Sequence, residues 1–178
     1  MKRVNQLLDY MATNPNAVIR YRASDMILNV HSDASYLTAT KGRSRAGGYF
    51  FLGSLPRDGD PIKLNRAIHV TCTILKLVAA SAAEAELGAL FLNAQEAKVI
   101  QLVLAELGHP QPPTPIHIDN TTTVGIVNNT IKRQRSRAME MRYFWLLDGK
   151  SQQYFKFYYQ PGQENLGDYP SKHHTADI

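Results

Sequence analysis

The chain of 178 residues is poor in cysteine and has no long uninterrupted apolar segment. Its one cysteine, Cys72, excludes an intramolecular disulfide, and its position in an apolar run predicts a buried thiol. Because His69 and Lys76 interrupt the apolar stretch 67–80, we expect no membrane-spanning segment and no membrane partner. The first residues lack the apolar core of a secretory signal peptide, which predicts an intracellular protein, in the cytoplasm or the nucleus.

Acidic residues are also in deficit, with 15 Asp and Glu against 20 Lys and Arg, a net charge of +5. This balance favours a polyanionic partner only modestly, because many ordinary soluble proteins share it. The length and the hydrophobic fraction of 44% suit one compact domain. Apolar residues at helical spacing predict a helix over Lys2–Met11, so we divide the chain into an N-terminal helix and linker (1–18) and a main domain (19–178).

The apolar pattern changes period along the main domain, from strands to a long helix and back. Ser81 can cap the long helix and Gly108 can end it. In chain order, the predicted elements are strands at 26–33, 47–53 and 67–77, a helix at 81–107, a strand at 116–119, helices at 121–127 and 137–147, a strand at 154–160 and a short helix at 163–172. Since crossover helices require parallel pairing, the expected fold is α/β: a mixed five-stranded sheet, three antiparallel strands then two parallel, with helices on both faces.

Four acids lie near the end of a strand or the start of a helix. Asp33 and Asp119 end neighbouring predicted strands, Glu86 lies early in the long helix, and Asp168 lies in the last helix. Carboxylates that converge there repel one another unless hard cations lie between them, and Mg²⁺ prefers such oxygen ligands. The pattern therefore predicts a metal centre, with a fortuitous set of strand-end acids as the alternative.

The motifs around these acids resemble those of a known family. They are Ser32-Asp33-Ala34-Ser35, Arg45-Ala46-Gly47-Gly48-Tyr49-Phe50-Phe51-Leu52, Ser81-Ala82-Ala83-Glu84-Ala85-Glu86-Leu87, Ile118-Asp119-Asn120, Met139-Glu140-Met141-Arg142-Tyr143-Phe144 and Leu166-Gly167-Asp168-Tyr169-Pro170-Ser171-Lys172. In this order they resemble the ribonuclease H domain of copia-type retroelement polyproteins, over about residues 19–173. Each motif is weak alone, and the ordered set is specific.

The resemblance implies a fold, a reaction and a site. The fold would be ribonuclease H-like. The enzyme would be a ribonuclease H that cleaves the RNA strand of RNA–DNA hybrids with two Mg²⁺ ions, for which Mn²⁺ can substitute, leaving 5′-phosphomonoesters. The implied catalytic and metal-binding residues are Asp33, Glu86, Asp119 and Asp168. A reverse transcriptase domain of the same polyprotein is the implied partner, and 1–18 would be a remnant of that connection.

Glu84 is the alternative to Glu86 as the acid of the long helix. Residues two apart on a helix do not share a face, so both cannot serve equally. The family places its acid just before the first bulky core residue of the helix, here Leu87, which favours Glu86.

Seven residues are candidates for contacts with nucleic acid: Ser35, Asn120, Thr121, Lys132, Arg133, Arg135 and Arg137. Ser35, Asn120 and Thr121 can hydrogen-bond an RNA 2′-hydroxyl, with helix capping as the alternative. The basic run can hold phosphates, with a solvated surface as the alternative.

Two other functions stay open from the sequence. One is a non-catalytic nucleic-acid-binding module of the same fold, and the other is a different nuclease or strand transferase of the superfamily. The chain also departs from many relatives in having no histidine in the loop before the last acid, Gln160–Gly167.

Overall fold

The computed structural model describes residues 2–55, 63–131 and 137–172. Its helices and strands alternate much as the changes in apolar period predict. In chain order they are α1 (Lys2–Thr13), β1 (Ile27–Ala39), β2 (Arg43–Gly53), β3 (Ala67–Ile74), α2 (Ala82–Glu106), β4 (Thr114–Ile118), α3 (Thr121–Val127), α4 (Arg137–Ser151), β5 (Phe155–Tyr159) and α5 (Asp168–Ser171).

The five strands form one sheet in the order β3-β2-β1-β4-β5. The first three strands are antiparallel, whereas β4 runs parallel to both β1 and β5. The predicted fold class is therefore confirmed. The central strand β1 pairs on both sides, with Asp33 opposite Gly47 of β2 and Ser32 opposite Ile118 of β4.

Helices α2 and α5 cover opposite faces of this sheet. Gly47 and Gly48 are neighbours on β2, so they face opposite sides. A Cβ at Gly48 would lie 2.8 Å from Cγ of Asn93 in α2, and one at Gly47 would lie 2.8 Å from Cβ of Ser171 in α5. The main core lies on the α2 side. It includes Leu28, Val30, Phe50, Leu87, Leu90, Ile116, Ile118 and Leu146.

Several predicted boundaries differ from the observed ones, and the largest differences lie at the turn between β1 and β2 and at the last helix. The first two strands, predicted at 26–33 and 47–53, extend towards each other through the polar segment 38–45, and only a 3-10 turn at Thr40–Gly42 separates β1 from β2. Positive φ angles at Lys41 and Gly42 make that turn short. The predicted helix 163–172 is only the single turn α5, preceded by a 3-10 turn at Gly162–Glu164.

The predicted burial of Cys72 is also wrong, because the thiol is exposed. Cys72 lies on β3, which is an edge strand of the sheet. The same face of β3 carries Ile68, Val70 and Ile74, at every second position before and after Cys72. Each of these side chains is more than 40% exposed. An apolar run on an edge strand therefore reports strand propensity here and not burial.

Helix α2 is long and apolar enough, by length and composition, to cross a membrane, which contradicts the expectation that no segment is. It is the only helix of the described residues with this property. Half of its apolar window is buried inside the domain, and core helices of soluble proteins pass the same test. Its apolarity is thus accounted for by packing on the sheet.

Helix α1 presents an apolar row to solvent, formed by Val4, Leu7, Leu8 and Met11. Its helical form agrees with the predicted element at the N-terminus. The division of the chain at residue 18 stays a prediction.

A buried asparagine fixes α2 against the sheet. Asn93 donates through Nδ2 to Ser32 Oγ at 2.8 Å and to the Gly47 carbonyl at 2.9 Å, and its Oδ1 accepts from Thr71 Oγ1 at 2.7 Å. It is fully buried. These contacts join α2 to β1, β2 and β3. They fix the position of the helix along the sheet, and so also the position of its first turns.

We expect Asn93→Ala to lower the free energy of unfolding by about 2–4 kcal/mol, because it leaves two buried polar groups and one half-buried hydroxyl without their partner. Urea denaturation would measure the change. Gln95→Ala, at an exposed position of the same helix, is the matched control and should change stability by less than about 0.5 kcal/mol. A loss of similar size in both variants would contradict the role given to the amide.

Candidate metal centre

Two of the predicted acids lie where the central strands separate. The parallel pairing of β1 and β4 ends at Ser32 and Ile118. Asp33 and Asp119 are the next residue on each strand, so their side chains leave the sheet at the same edge. Gly162, which follows β5, comes close to this edge: a Cβ there would lie 3.1 Å from Asp119 Oδ2.

The start of α2 supplies the third acid. Ser81 caps the helix by accepting from the Glu84 backbone N–H at 3.2 Å, and Glu84 Oε2 accepts in return from the Ala80 N–H at 2.8 Å. This reciprocal arrangement is similar to a capping box, with the N–H of Ala80 in place of that of the N-cap Ser81, and it explains the presence of Glu84. Glu86 instead points into the domain, and its Oε1 accepts from the Ala34 N–H of β1 at 3.1 Å.

Asp33, Glu86 and Asp119 converge. Each offers a carboxylate oxygen that lies within 4.8 Å of the oxygens offered by the other two. Glu86 Oε2 is buried and has no hydrogen-bond partner among the described residues. An unpartnered buried carboxylate oxygen beside two further carboxylates is a set of ligands that fits a hard divalent cation such as Mg²⁺.

The fourth predicted acid, Asp168, lies beside this group but outside the 4.8 Å set. Its carboxylate forms an ion pair with Lys172, one helical turn further along. Its negative charge still raises the pKa values of Asp33, Glu86 and Asp119. The structure therefore brings three of the predicted acids together and places the fourth next to them.

Burial and mutual repulsion shift the protonation equilibria of the cluster. Burial, with the charges of Asp33 and Asp119, raises the pKa of Glu86 to about 9. Burial also raises the pKa of Asp33 to about 6, against the lowering effect of a hydrogen bond from Ser171, and it raises the pKa of Asp119. In the absence of a cation, Glu86 is thus the acid of the cluster that favours its protonated form at neutral pH.

The other predicted residues fall into two groups. Ser35 is buried on β1, Asn120 caps α3 by accepting from the Thr123 N–H at 3.0 Å, and Thr121 is exposed at the first position of α3. For Asn120, capping is thus observed. Lys132, Arg133 and Arg135 lie outside the described residues. Arg137 begins α4, and its side chain lies outside what the structure describes.

Sequence reasoning missed the residues that hold the last acid in place. Asn165 Nδ2 donates to the Ser32 carbonyl at 2.9 Å, and the Leu166 N–H donates to His31 Nδ1 at 3.0 Å. Ser171 donates to Asp33 Oδ2. Asn165, Leu166 and Ser171 lie within three positions of Asp168 in the sequence. A segment with only one helical turn is too short to show a periodic apolar pattern, so these residues could not be identified in advance.

The comparisons with known proteins agree with this geometry. No protein-family model matches the chain. It is 25% identical over 143 residues to the retrovirus-related Pol polyprotein from transposon TNT 1-94 of Nicotiana tabacum, a match that covers 80% of the chain and 10% of the polyprotein. The chain thus spans about a tenth of the length of this relative.

Solved structures show the same architecture. LC11-RNase H1, isolated from compost by a metagenomic approach, superposes with a TM-score of 0.56 at 13% identity, covering 82% of this chain and 92% of that one. The chain has the ribonuclease H fold. The same LC11-RNase H1 in complex with an RNA/DNA hybrid superposes with a TM-score of 0.54 at 12% identity, covering 78% and 88%.

A viral protein is similar too. The foamy viral protease-reverse transcriptase in complex with dsDNA superposes with a TM-score of 0.50 at 17% identity, covering 87% of this chain and 94% of that one. The solved structures support the fold, and the Pol polyprotein supplies the relation in sequence. Together they confirm the resemblance to the retroelement ribonuclease H domain.

We expect the stability of the cation-free domain to fall as pH rises from about 7 to about 9. A pKa raised by folding means that the folded state holds the proton more tightly than the unfolded chain. The stability that this gives is present at low pH and is lost as pH passes through the raised values, about 6 for Asp33 and about 9 for Glu86. Thermal unfolding in EDTA would measure the decline.

Two comparisons make this measurement specific. Glu86→Gln should be more stable than the parent at pH 9 in EDTA by about 1 kcal/mol or more, since a tenfold change in a protonation equilibrium corresponds to about 1.4 kcal/mol. Saturating Mg²⁺ should reduce the decline in the parent, because it binds the deprotonated carboxylates. His31 and His117, whose pKa values burial lowers, are neutral in both states above pH 7 and do not contribute there. A stability independent of pH between 7 and 9 would contradict the shared burial of these acids.

Proposed function

We propose that this chain is a metal-dependent ribonuclease H that hydrolyses the RNA strand of RNA–DNA hybrids during retroelement replication. The observation that carries the proposal is the convergence of Asp33, Glu86 and Asp119 at the end of the two central strands. Support for the substrate comes from LC11-RNase H1, which has the same fold and has been crystallised with an RNA/DNA hybrid. Support for the setting comes from the retrotransposon polyprotein, so we propose that a reverse transcriptase domain delivers the hybrid.

Asp33, Glu86, Asp119 and Asp168 would hold two Mg²⁺ ions in this proposal, and Mn²⁺ would fit the same oxygen ligands. When bound, such a pair supplies activation of the attacking water and stabilisation of the leaving 3′ oxygen, which yields 5′-phosphomonoester products. The protein supplies orientation. The Ala34 N–H holds Glu86 Oε1 and leaves Oε2 available, and the β1 and β4 backbones keep Asp33 and Asp119 side by side.

Full ionisation of the cluster needs positive charge from outside, because burial and mutual repulsion keep it partly protonated without a cation. Binding of a divalent ion would drive those protons off and generate the fully ionised ligands. The basic run at 132–137 is proposed to contact the phosphates of the hybrid. Thr121, which is exposed and follows Asp119 by two positions, is proposed to contact its sugars, whereas the burial of Ser35 does not favour such a contact.

Asp33→Asn or Asp119→Asn should reduce Mg²⁺-dependent cleavage of a hybrid by at least about 100-fold, since a lost metal ligand removes several kcal/mol of transition-state stabilisation. A gel assay with labelled RNA, with and without EDTA, would measure it. Asp148→Asn, at an exposed position on α4, is the matched control and should cleave at the parental rate. Hybrid binding without turnover in Mg²⁺ or Mn²⁺ would favour a non-catalytic module. Preferential cleavage of double-stranded RNA or DNA would favour another nuclease of this fold.

Glu86→Gln and Glu84→Gln form a second test, since the two positions differ by two residues on one helix. Glu86→Gln should lose cleavage by at least about 100-fold. Glu84→Gln should cleave like the parent and lose about 0.5–1 kcal/mol of stability, because only the cap is weakened. Loss of activity in Glu84→Gln with retention in Glu86→Gln would reverse the assignment.

A further inference from the structure

A buried serine connects the first and the last of the acids. Ser171 is 1% exposed, and its hydroxyl donates to Asp33 Oδ2. The same hydroxyl lies 3.0 Å from the backbone carbonyl of Asp168. A serine has one proton to donate, and a carboxylate accepts it more strongly than a peptide carbonyl does. The contact with Asp33 is therefore the stronger of the two.

The sheet is shaped to admit this serine. Gly47 lies opposite Asp33 on β2, and a Cβ at that position would lie 2.8 Å from both N and Cβ of Ser171. Gly167 comes equally close to β1, since a Cβ there would lie 2.9 Å from the His31 carbonyl. Two positions without a side chain thus let α5 lie directly on the strands.

The approach is held at a second point, on the backbone of β1 directly before Asp33. Asn165 is buried and bonds the Ser32 carbonyl, while its Oδ1 accepts from the Gly167 N–H at 3.0 Å. Ser171 is therefore the far end of a segment fixed to β1, and its hydroxyl reaches a defined oxygen of Asp33.

We propose that Ser171 is a positioning residue for the metal centre: its hydroxyl fixes the rotation of the Asp33 carboxylate, so that this group is oriented for divalent cations before they bind. The inference rests on the proposed function, since it assigns a support to the same site. Ser171 acts through Asp33 and does not itself bind the cation. Groups that orient a metal ligand in this way commonly contribute 10–100-fold to metal affinity or activity.

A purely structural role would give a different result. If Ser171 only packed against Gly47 or satisfied the Asp168 carbonyl, its replacement would lower stability and leave the affinity for Mg²⁺ unchanged. The decisive readout is therefore the dissociation constant of Mg²⁺ for the full chain. It can be obtained without any cleavage assay, from the rise in unfolding temperature with Mg²⁺ concentration.

Ser171→Ala should weaken Mg²⁺ binding by about 10-fold. Ser171→Thr, which keeps the hydroxyl, should stay within about threefold of the parent. Ser44→Ala is the matched control. Ser44 is also a fully buried serine of the sheet, and it accepts one hydrogen bond from the Leu37 N–H, away from the acids. This variant should bind Mg²⁺ like the parent even where it is less stable.

Cleavage kinetics give an independent check. In Ser171→Ala the Mg²⁺ concentration that supports half-maximal cleavage should rise about 10-fold, and the KM for the hybrid should not change, because a buried serine does not touch the substrate.

Parental Mg²⁺ affinity in a folded Ser171→Ala variant overturns the proposal. Should that variant not fold, Ser171→Thr and the near-isosteric Ser171→Val take its place, and equal Mg²⁺ affinity in those two overturns it as well. Absence of Mg²⁺ binding by the parent also overturns it. A parent that binds Mg²⁺ but cleaves no hybrid overturns the proposed function alone, and a 10-fold weaker Ser171→Ala then still supports the positioning role.

Discussion

Three carboxylates at the edge of the sheet repel one another, and their burial makes that repulsion stronger than it would be in water. Nothing in the local preferences of β1, α2 or β4 favours this arrangement. It persists because each acid belongs to an element that is fixed elsewhere: Asp33 and Asp119 by the strand pairing, and Glu86 by the attachment of α2 through Asn93. The strand pairing and the attachment of α2 thus offset the repulsion among the carboxylates, and a bound divalent cation would relieve that repulsion.

The elements that carry the acids differ in how firmly they are held in the domain. The strands of Asp33 and Asp119 are among the most buried parts of the domain, and they have little freedom to move. The last turn, by contrast, is one helical turn long and depends on Asn165, Gly167 and Ser171 for its place. Asp168 is accordingly the acid that pairs with a lysine at the surface. The physical outcome is a cluster of three acids on well-packed elements, with a fourth acid beside it on a short, separately held segment.

The sequence made the central features predictable because they depend on local chemistry. Ser81 and Gly108 marked the ends of the long helix, and an acid directly after an apolar strand marked Asp33 and Asp119 as unusual. Helix geometry showed only that Glu84 and Glu86 cannot serve equally, and the choice of Glu86 came from the family resemblance, through its position before Leu87; the structure accounts for Glu84 as a cap. Cys72 could not be placed correctly, since an edge strand and a central strand share one pattern. The length of α5 and the contact of Ser171 depend on tertiary hydrogen bonds that no spacing reveals.

The hydroxyl of Ser171 and the carboxylate of Asp33 are separated by 138 positions of the chain. Closing so wide a loop costs entropy that no local preference repays, so contacts of this kind form late when a polypeptide folds. A nascent chain that extends only through β4 contains four of the strands and α2, but it lacks the segment with Ser171 that contacts Asp33. The convergence of Asp33, Glu86 and Asp119 does not depend on the last turn, so the orientation that Ser171 gives to the Asp33 carboxylate would be added to a cluster that is already in place.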